Sequence, residues 1–187
     1  MIESEIRSAY ERNFLGGNTM AFETPKLDKI YQLGFLVKNL DEVKKQYEEV
    51  FGIGPWSEPG VISGDRFPIW VNGEKYEGPF FKVSMLHRYG FEIELIEPIG
   101  PGPLKDWVDK HGNGLHHIDF RLADQEKFEE FLAEAKEITG KDPWLAACFG
   151  RQDRISFAYL DMTEELGCFV EVKPNRTPEN EAFGFEY

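Results

Sequence analysis

Two stretches far apart in this chain carry one pattern. Residues 32–39 read QLGFLVKN and residues 117–124 read HIDFRLAD. Both place apolar side chains at the second, fourth and sixth positions: Leu33, Phe35 and Val37 in one, Ile118, Phe120 and Leu122 in the other. Both finish on a helix-capping residue, Asn39 or Asp124. Alternation with a period of two marks a half-buried strand, and in each copy a segment of helical period follows. Each copy then closes on a strand with a glutamate shortly before a proline, FEIELIEP at 91–98 and CFVEVKP at 168–174. A unit present twice constrains the fold more than any single motif, because both copies must build the same local structure. Superposing them sets Gln32 against His117 and Glu94 against Glu171.

The expected class is α+β, with two βαβββ modules, each a mixed sheet with a helix on one face. The boundaries fall at 1–27 (an N-terminal arm), 28–98 (first module), 99–113 (linker with a short helix), 114–175 (second module) and 176–187 (tail). Asn39 with Glu42 three residues on resembles a capping box for a helix buried through Leu40, Val43, Tyr47 and Val50. Asp124 starts a second helix with the stripe Phe128, Phe131, Leu132, Ala135 and Ile138. Residues 58–78, rich in Gly and Pro with Phe67, Ile69, Trp70 and Val71 between, read as a long connection, either a lid or pocket wall or a loop whose aromatics pack on the sheet.

Side chains of a strand point alternately to its two faces. His117 therefore shares a face with Asp119 and Arg121, and His116 falls with Ile118, Phe120 and Leu122. The apolar sets Leu33/Phe35, Ile93/Leu95, Ile118/Phe120 and Val170/Val172 belong to faces covered by helices. Gln32, Glu94, His117 and Glu171 belong to the opposite faces. Buried carboxylates are costly unless paired or metal-bound, so a divalent cation is the expected cofactor, with Gln32, Glu94, His117 and Glu171 as its donors. Zn, Co, Ni and Mn all suit such a set. Glu92 alternates onto the Glu94 face and reads as a solvated edge residue ahead of a supporting partner of the donors. Tyr159 or Asp161, whichever lies on the donors' face, is a candidate substrate contact. Trp56, Trp70 and Trp144 read as core or pocket wall, and His87 and His111 as surface residues.

A formal charge of −13 disfavours nucleic-acid backbones and anionic membranes. It leaves a small-molecule substrate open, since a local cation reverses the sign within a cleft. No apolar run reaches the length of a membrane-spanning helix, and Met1–Glu11 lacks the apolar core of a secretory signal. Cys148 and Cys168 make no disulfide framework, so a cytoplasmic location is expected.

From Leu27 to Pro174 the chain resembles the vicinal oxygen chelate superfamily, which includes glyoxalase I, methylmalonyl-CoA epimerase and extradiol dioxygenases. The resemblance is carried by 32–40 (QLGFLVKNL), 94–98 (ELIEP), 114–117 (GLHH) and 169–172 (FVEV). Residues 104–117 (LKDWVDKHGNGLHH) and 51–56 (FGIGPW) are similar to the epimerase branch. The family implies paired βαβββ modules forming an open, cup-shaped mixed sheet around a metal, with ligands on the first and last strand of each module, here Gln32, Glu94, His117 and Glu171, and commonly a homodimer. Departures narrow the chemistry. The epimerase's further glutamate falls near Lys82 or Ser84, where no acid stands. The glutathione-clamping arginine of glyoxalase I is absent at 113–115, and Gln32 in place of a histidine speaks against extradiol cleavage.

The resemblance implies a metal-dependent isomerase or lyase acting on a small carbonyl-containing acid or thioester through a metal-stabilised enolate. Glu171 is then the candidate general base and Glu94 the second candidate. A glyoxalase-like lyase or oxygen-using enzyme is the alternative within catalysis, and a ligand-sequestering protein of the bleomycin-resistance type the alternative outside it.

Overall fold

The computed structural model describes residue 27 and residues 30–88, 90–148 and 154–175. The expected arm and tail lie outside the described residues, apart from Leu27. The elements run β1 (Ile30–Leu36), α1 (Leu40–Phe51), β2 (Gly60–Ser63), β3 (Ile69–Val71), β4 (Glu74–Tyr76), β5 (Pro79–Arg88) and β6 (Phe91–Pro98). There follow α2 (Pro103–His111), β7 (Gly114–Leu122), α3 (Gln125–Thr139), β8 (Leu145–Ala147), β9 (Phe157–Met162), α4 (Thr163–Leu166) and β10 (Cys168–Pro174).

All ten strands form one curled sheet in the order β2-β5-β6-β1-β7-β10-β9-β8-β3-β4, not two sheets. At its centre β1 and β7 run antiparallel, and each has a parallel neighbour, β6 for β1 and β10 for β7. Crossover helices fit such parallel neighbours. Asn39 caps α1 by accepting from the Glu42 amide at 3.0 Å, and Asp124 caps α3 by accepting from the Lys127 amide at 2.9 Å. Gly52 and Gly140 end these helices in the left-handed conformation, as helix C-termini favour.

The convex face is covered by these two helices. α1 packs Leu40, Val43 and Tyr47 on Phe35, Leu86, Ile93 and Leu95. α3 packs Phe128, Phe131 and Leu132 on Ile118, Phe120, Val170 and Val172. The expected exterior faces are therefore observed, although Val50 and Ile138 of the expected stripes are exposed.

Residues 58–78 correct the reading of a lid. They fold into three strands, and the β3–β4 hairpin turns at Asn72 and Gly73, both with positive φ (51° and 79°). That is the conformation a two-residue hairpin loop needs. Its β3 pairs with β8, placing Ile69 opposite Ala147 and Val71 opposite Leu145. The first half thus supplies strands to the far edge of the second. Ile69 is buried there, in a cluster with Leu36, Phe81, Val83, Ile96, Leu104, Val108 and Phe169 that fills one end of the cup.

Cys148 and Cys168 are both buried, and neither forms a disulfide. Among the described residues no helix is long and apolar enough to cross a membrane.

Candidate functional site

The concave face between β6, β1, β7 and β10 buries Gln32, Glu92, Glu94, His116, His117, Asp119 and Glu171, each less than a tenth exposed. Register explains the gathering. Gly34 lies opposite His117 across the β1–β7 pair and beside Glu94 across β1–β6, while Glu171 lies beside Asp119 across β7–β10. Gly34 makes room for the central imidazole: a Cβ there would stand 1.9 Å from His117 Cε1 and 2.1 Å from Nε2.

His117 Nε2 lies 3.2 Å from Glu94 Oε2 and 3.4 Å from Glu171 Oε2. These approaches are not aligned as hydrogen bonds, for His117 Nε2 and Glu94 Oε2 are both buried without a hydrogen-bond partner. Donor atoms around an ion with bonds of about 2.1 Å stand roughly 3.0–3.4 Å apart in octahedral or tetrahedral geometry, so the spacing suits a shared cation. Gln32, the fourth expected donor, is in the same cluster. Its amide donates to Glu92 Oε2 at 3.1 Å, and its Oε1 accepts from Lys173 Nζ at 3.2 Å.

As they stand, no three His, Cys, Asp or Glu side chains among the described residues are arranged so that they could hold a metal ion. Lys173 stands among the donors. Its Nζ also donates to Glu171 Oε2 at 3.1 Å and lies 3.4 Å from Asp119 Oδ2, so an ammonium group engages two of the four donors. The residues fit a divalent cation in donor type and in two orphaned atoms, but not in their positions as they stand. Closing the set requires Glu171 and Gln32 to turn from the lysine.

The charges in this cluster set one another. Burial disfavours the charged His117, but the Glu171 and Glu94 carboxylates outweigh it and raise its pKa to about 9. Burial alone would raise Glu171; Lys173 and His117 reverse that and hold it at about 2. Burial raises Asp119 to about 7 against the pull of Lys173. Lys173 is raised although burial opposes it, because Asp119, Glu171 and Glu94 surround it. Tyr159, whose ring centre is 4.8 Å from that of His117, is raised well above the usual phenol by burial and then by Glu171, Glu94 and Asp119.

Two expectations need correction. His116 is not on the helix-covered face. The β1–β7 register skips it, matching Gly34 to His117 and Phe35 to Leu115, and this bulge turns its ring into the cup. There it stacks on Phe169 at 4.6 Å and meets Trp107 edge-on at 5.4 Å, and its Nδ1 is 3.1 Å from His117 Nδ1. Burial and His117's charge push its pKa well below normal. Glu92 is not a solvated edge residue. It is 1% exposed and gathers Gln32, Arg121 (3.4 Å) and His87 (3.1 Å).

Of the remaining candidates, Tyr159 faces the cup, while Asp161 is exposed and caps Thr163. Trp144 joins the cup aromatics at 4.5 Å from Phe169, Trp56 packs on Tyr47 under α1, and half-buried Trp70 sits on β3. His111 is exposed and stacks on Trp107. Sequence reasoning missed Lys173, although its position two residues after Glu171 on a strand signals the same face.

Comparison with known proteins agrees with this architecture. Residues 31–143 match the family described as the Glyoxalase/Bleomycin resistance protein/Dioxygenase superfamily, a span that holds Gln32, Glu94 and His117 and stops before Glu171. No curated protein matches the chain. Methylmalonyl-CoA epimerase from Mycobacterium tuberculosis is similar in structure, with a TM-score of 0.58 at 16% identity over 88% of this chain and 98% of that one. A methylmalonyl-CoA epimerase in complex with methylmalonyl-CoA and NH4+ gives 0.56 at 18% identity over 82% and 98%. A hypothetical protein from Bacillus halodurans C-125 gives 0.52 at 19% over 80% and 95%. At these identities the structural likeness shows the fold alone. The matched span is well over half of the 187 residues, and the chain belongs to the glyoxalase/bleomycin resistance protein/dioxygenase superfamily.

Proposed function

We propose that the protein is a divalent-metal isomerase or lyase that moves a proton at the carbon next to a carbonyl, in a small acid or thioester. The observation that carries this reading is the meeting of Glu94, His117 and Glu171 at 3.2–3.4 Å on the concave face, with Glu94 Oε2 and His117 Nε2 unpartnered. Gln32, Glu94, His117 and Glu171 would hold the ion, which would supply Lewis acidity to make the α-C–H of a bound carbonyl compound more acidic.

The chain's own residues divide the remaining work. A general base needs a free lone pair within reach of the proton. Glu94 and Glu171 are the two candidates, and either would have to leave the ion to offer one. In the metal-free chain Glu94 Oε2 makes no hydrogen bond, whereas Glu171 Oε2 accepts from the Lys173 ammonium at 3.1 Å, which favours Glu94 as the carboxylate that turns to the proton. His116 Nδ1 stands where it accepts a proton from His117 Nδ1, which leaves Nε2 as the ligating nitrogen. Phe169, Trp144 and the β3–β4 hairpin close the apolar end of the cup against water.

The test is hydrogen–deuterium exchange. The full chain, loaded in turn with Zn, Co, Ni and Mn, is incubated in deuterated water with 2-oxo acids and with malonyl-type thioesters, and α-proton loss is followed by NMR. Exchange that falls at least a hundredfold in Glu94→Gln is expected. No exchange with any of the metals, in a protein that binds them, would sink the reading and favour a ligand-sequestering role.

A further inference from the structure

The side chain that differs most between the two halves of the site is Lys173. On β10 the residues facing the cup are Phe169, Glu171 and Lys173, and Glu171 is the counterpart of Glu94 on β6. Two residues past Glu94 stands Ile96, buried in the apolar cluster. Two residues past Glu171 stands a lysine. Its ammonium touches three oxygens: Glu171 Oε2 at 3.1 Å, Gln32 Oε1 at 3.2 Å and Asp119 Oδ2 at 3.4 Å. The side chain is 19% exposed, so these contacts are little screened by water.

We infer that Lys173 is a tethered cation that competes with the divalent ion for Glu171 and Gln32, and so sets how tightly and how selectively this chain takes up metal. The inference rests on the metal reading of the site given above. A bound ion and a lysine ammonium cannot both draw on the Glu171 Oε2 lone pairs without like charges standing within a few ångströms of each other. Loading therefore requires Nζ to withdraw, and Asp119 Oδ2, already 3.4 Å away, is the acceptor it can keep. Arg121 approaches the same oxygen, its Nε 3.5 Å from Asp119 Oδ2, and also reaches Glu92. Glu92 in turn holds the Gln32 amide. A threshold of this kind favours ions that bind nitrogen and oxygen donors strongly. It disfavours magnesium, which gives up its water reluctantly.

The experiment compares the full wild-type chain with Lys173→Met after EDTA treatment and dialysis, by calorimetric titration with Mn2+, Zn2+ and Mg2+. Lys173→Gln is the second variant, used if Lys173→Met is not folded by circular dichroism. The charge-free variants are expected to bind Mn2+ and Zn2+ at one site at least tenfold more tightly than the wild type. They are also expected to gain measurable Mg2+ binding. Affinities within twofold of the wild type would overturn the competition while leaving the metal centre standing. Folded wild type and variants that all fail to bind any ion would overturn the metal reading and this inference together.

Discussion

Gly34 is the residue on which the centre of the site most directly depends. It belongs to neither the donors nor the charged cluster, yet the His117 ring occupies the space its side chain would take. Gly34→Ala should force the imidazole aside and cost about 1–3 kcal/mol through overpacking. Urea unfolding would measure this, and His117 ring resonances would shift with it. Unchanged stability and spectra would mean that the ring is not held there.

The neighbouring charges give the metal-free chain a pH profile that can be worked out group by group. His117 is raised from 6.5 to about 9, so its contribution is whole below pH 6.5 and lost as pH climbs through 9. Asp119 is raised from 3.8 to about 7, which also favours the folded state at lower pH and fades as pH rises through 7. Glu171 is lowered from 4.5 to about 2, so its contribution is present above 4.5 and lost as pH falls through 2. Asp119's contribution is already being lost from pH 3.8 upward, so stability in EDTA should be highest at about pH 4 and decline from there toward pH 9. Denaturant midpoints at pH 5.5, 7.5 and 9 that rise or stay level would contradict these assignments.

Among the elements, the helices were the easiest to read and the strands of residues 58–78 the hardest. α1 and α3 announce themselves by a capping side chain, an apolar stripe and a terminal glycine, all local signals. Phe128 is the anchor of α3, fully buried against β7 and β10. Phe128→Ala should cost about 3–5 kcal/mol, seen as a lower urea midpoint, and a loss below 1 kcal/mol would show that α3 contributes little to the core.

The β3–β4 hairpin did carry a sign, Asn72-Gly73 between Val71 and Glu74, which is the dipeptide a two-residue hairpin turn prefers. It was obscured by surrounding glycines and prolines, and its partner β8 is distant in sequence. The bulge at His116 left no sign. Two adjacent histidines obey strict alternation on paper, and only pairing with Gly34 and Phe35 of another strand breaks it. The Gln32, Glu94, His117 and Glu171 positions were legible because duplication places them at matching points of matching strands. Lys173 and Glu92 were harder to judge, since their partners come from other strands and depend on register.

At the scale of the whole molecule the halves are copies in pattern and unlike in use. One end of the cup gathers Leu36, Ile96, Phe81, Val83 and Phe169 into a dry plug, reinforced by Leu104 and Val108 of α2. The other gathers Gln32, Glu92, Asp119, Arg121 and Lys173 into a network of ions. The donors sit where the two meet, so one approach to them is greasy and sealed and the other charged.

The β3–β8 pairing has a consequence for the ancestry of such a chain. Once a hairpin from the first repeat has become the outer rung of the second, neither repeat is a self-sufficient module any longer. Cutting the gene between them would leave β8 without its neighbour and the hairpin without a sheet to join. The two matching halves are joined into one sheet with no seam between them.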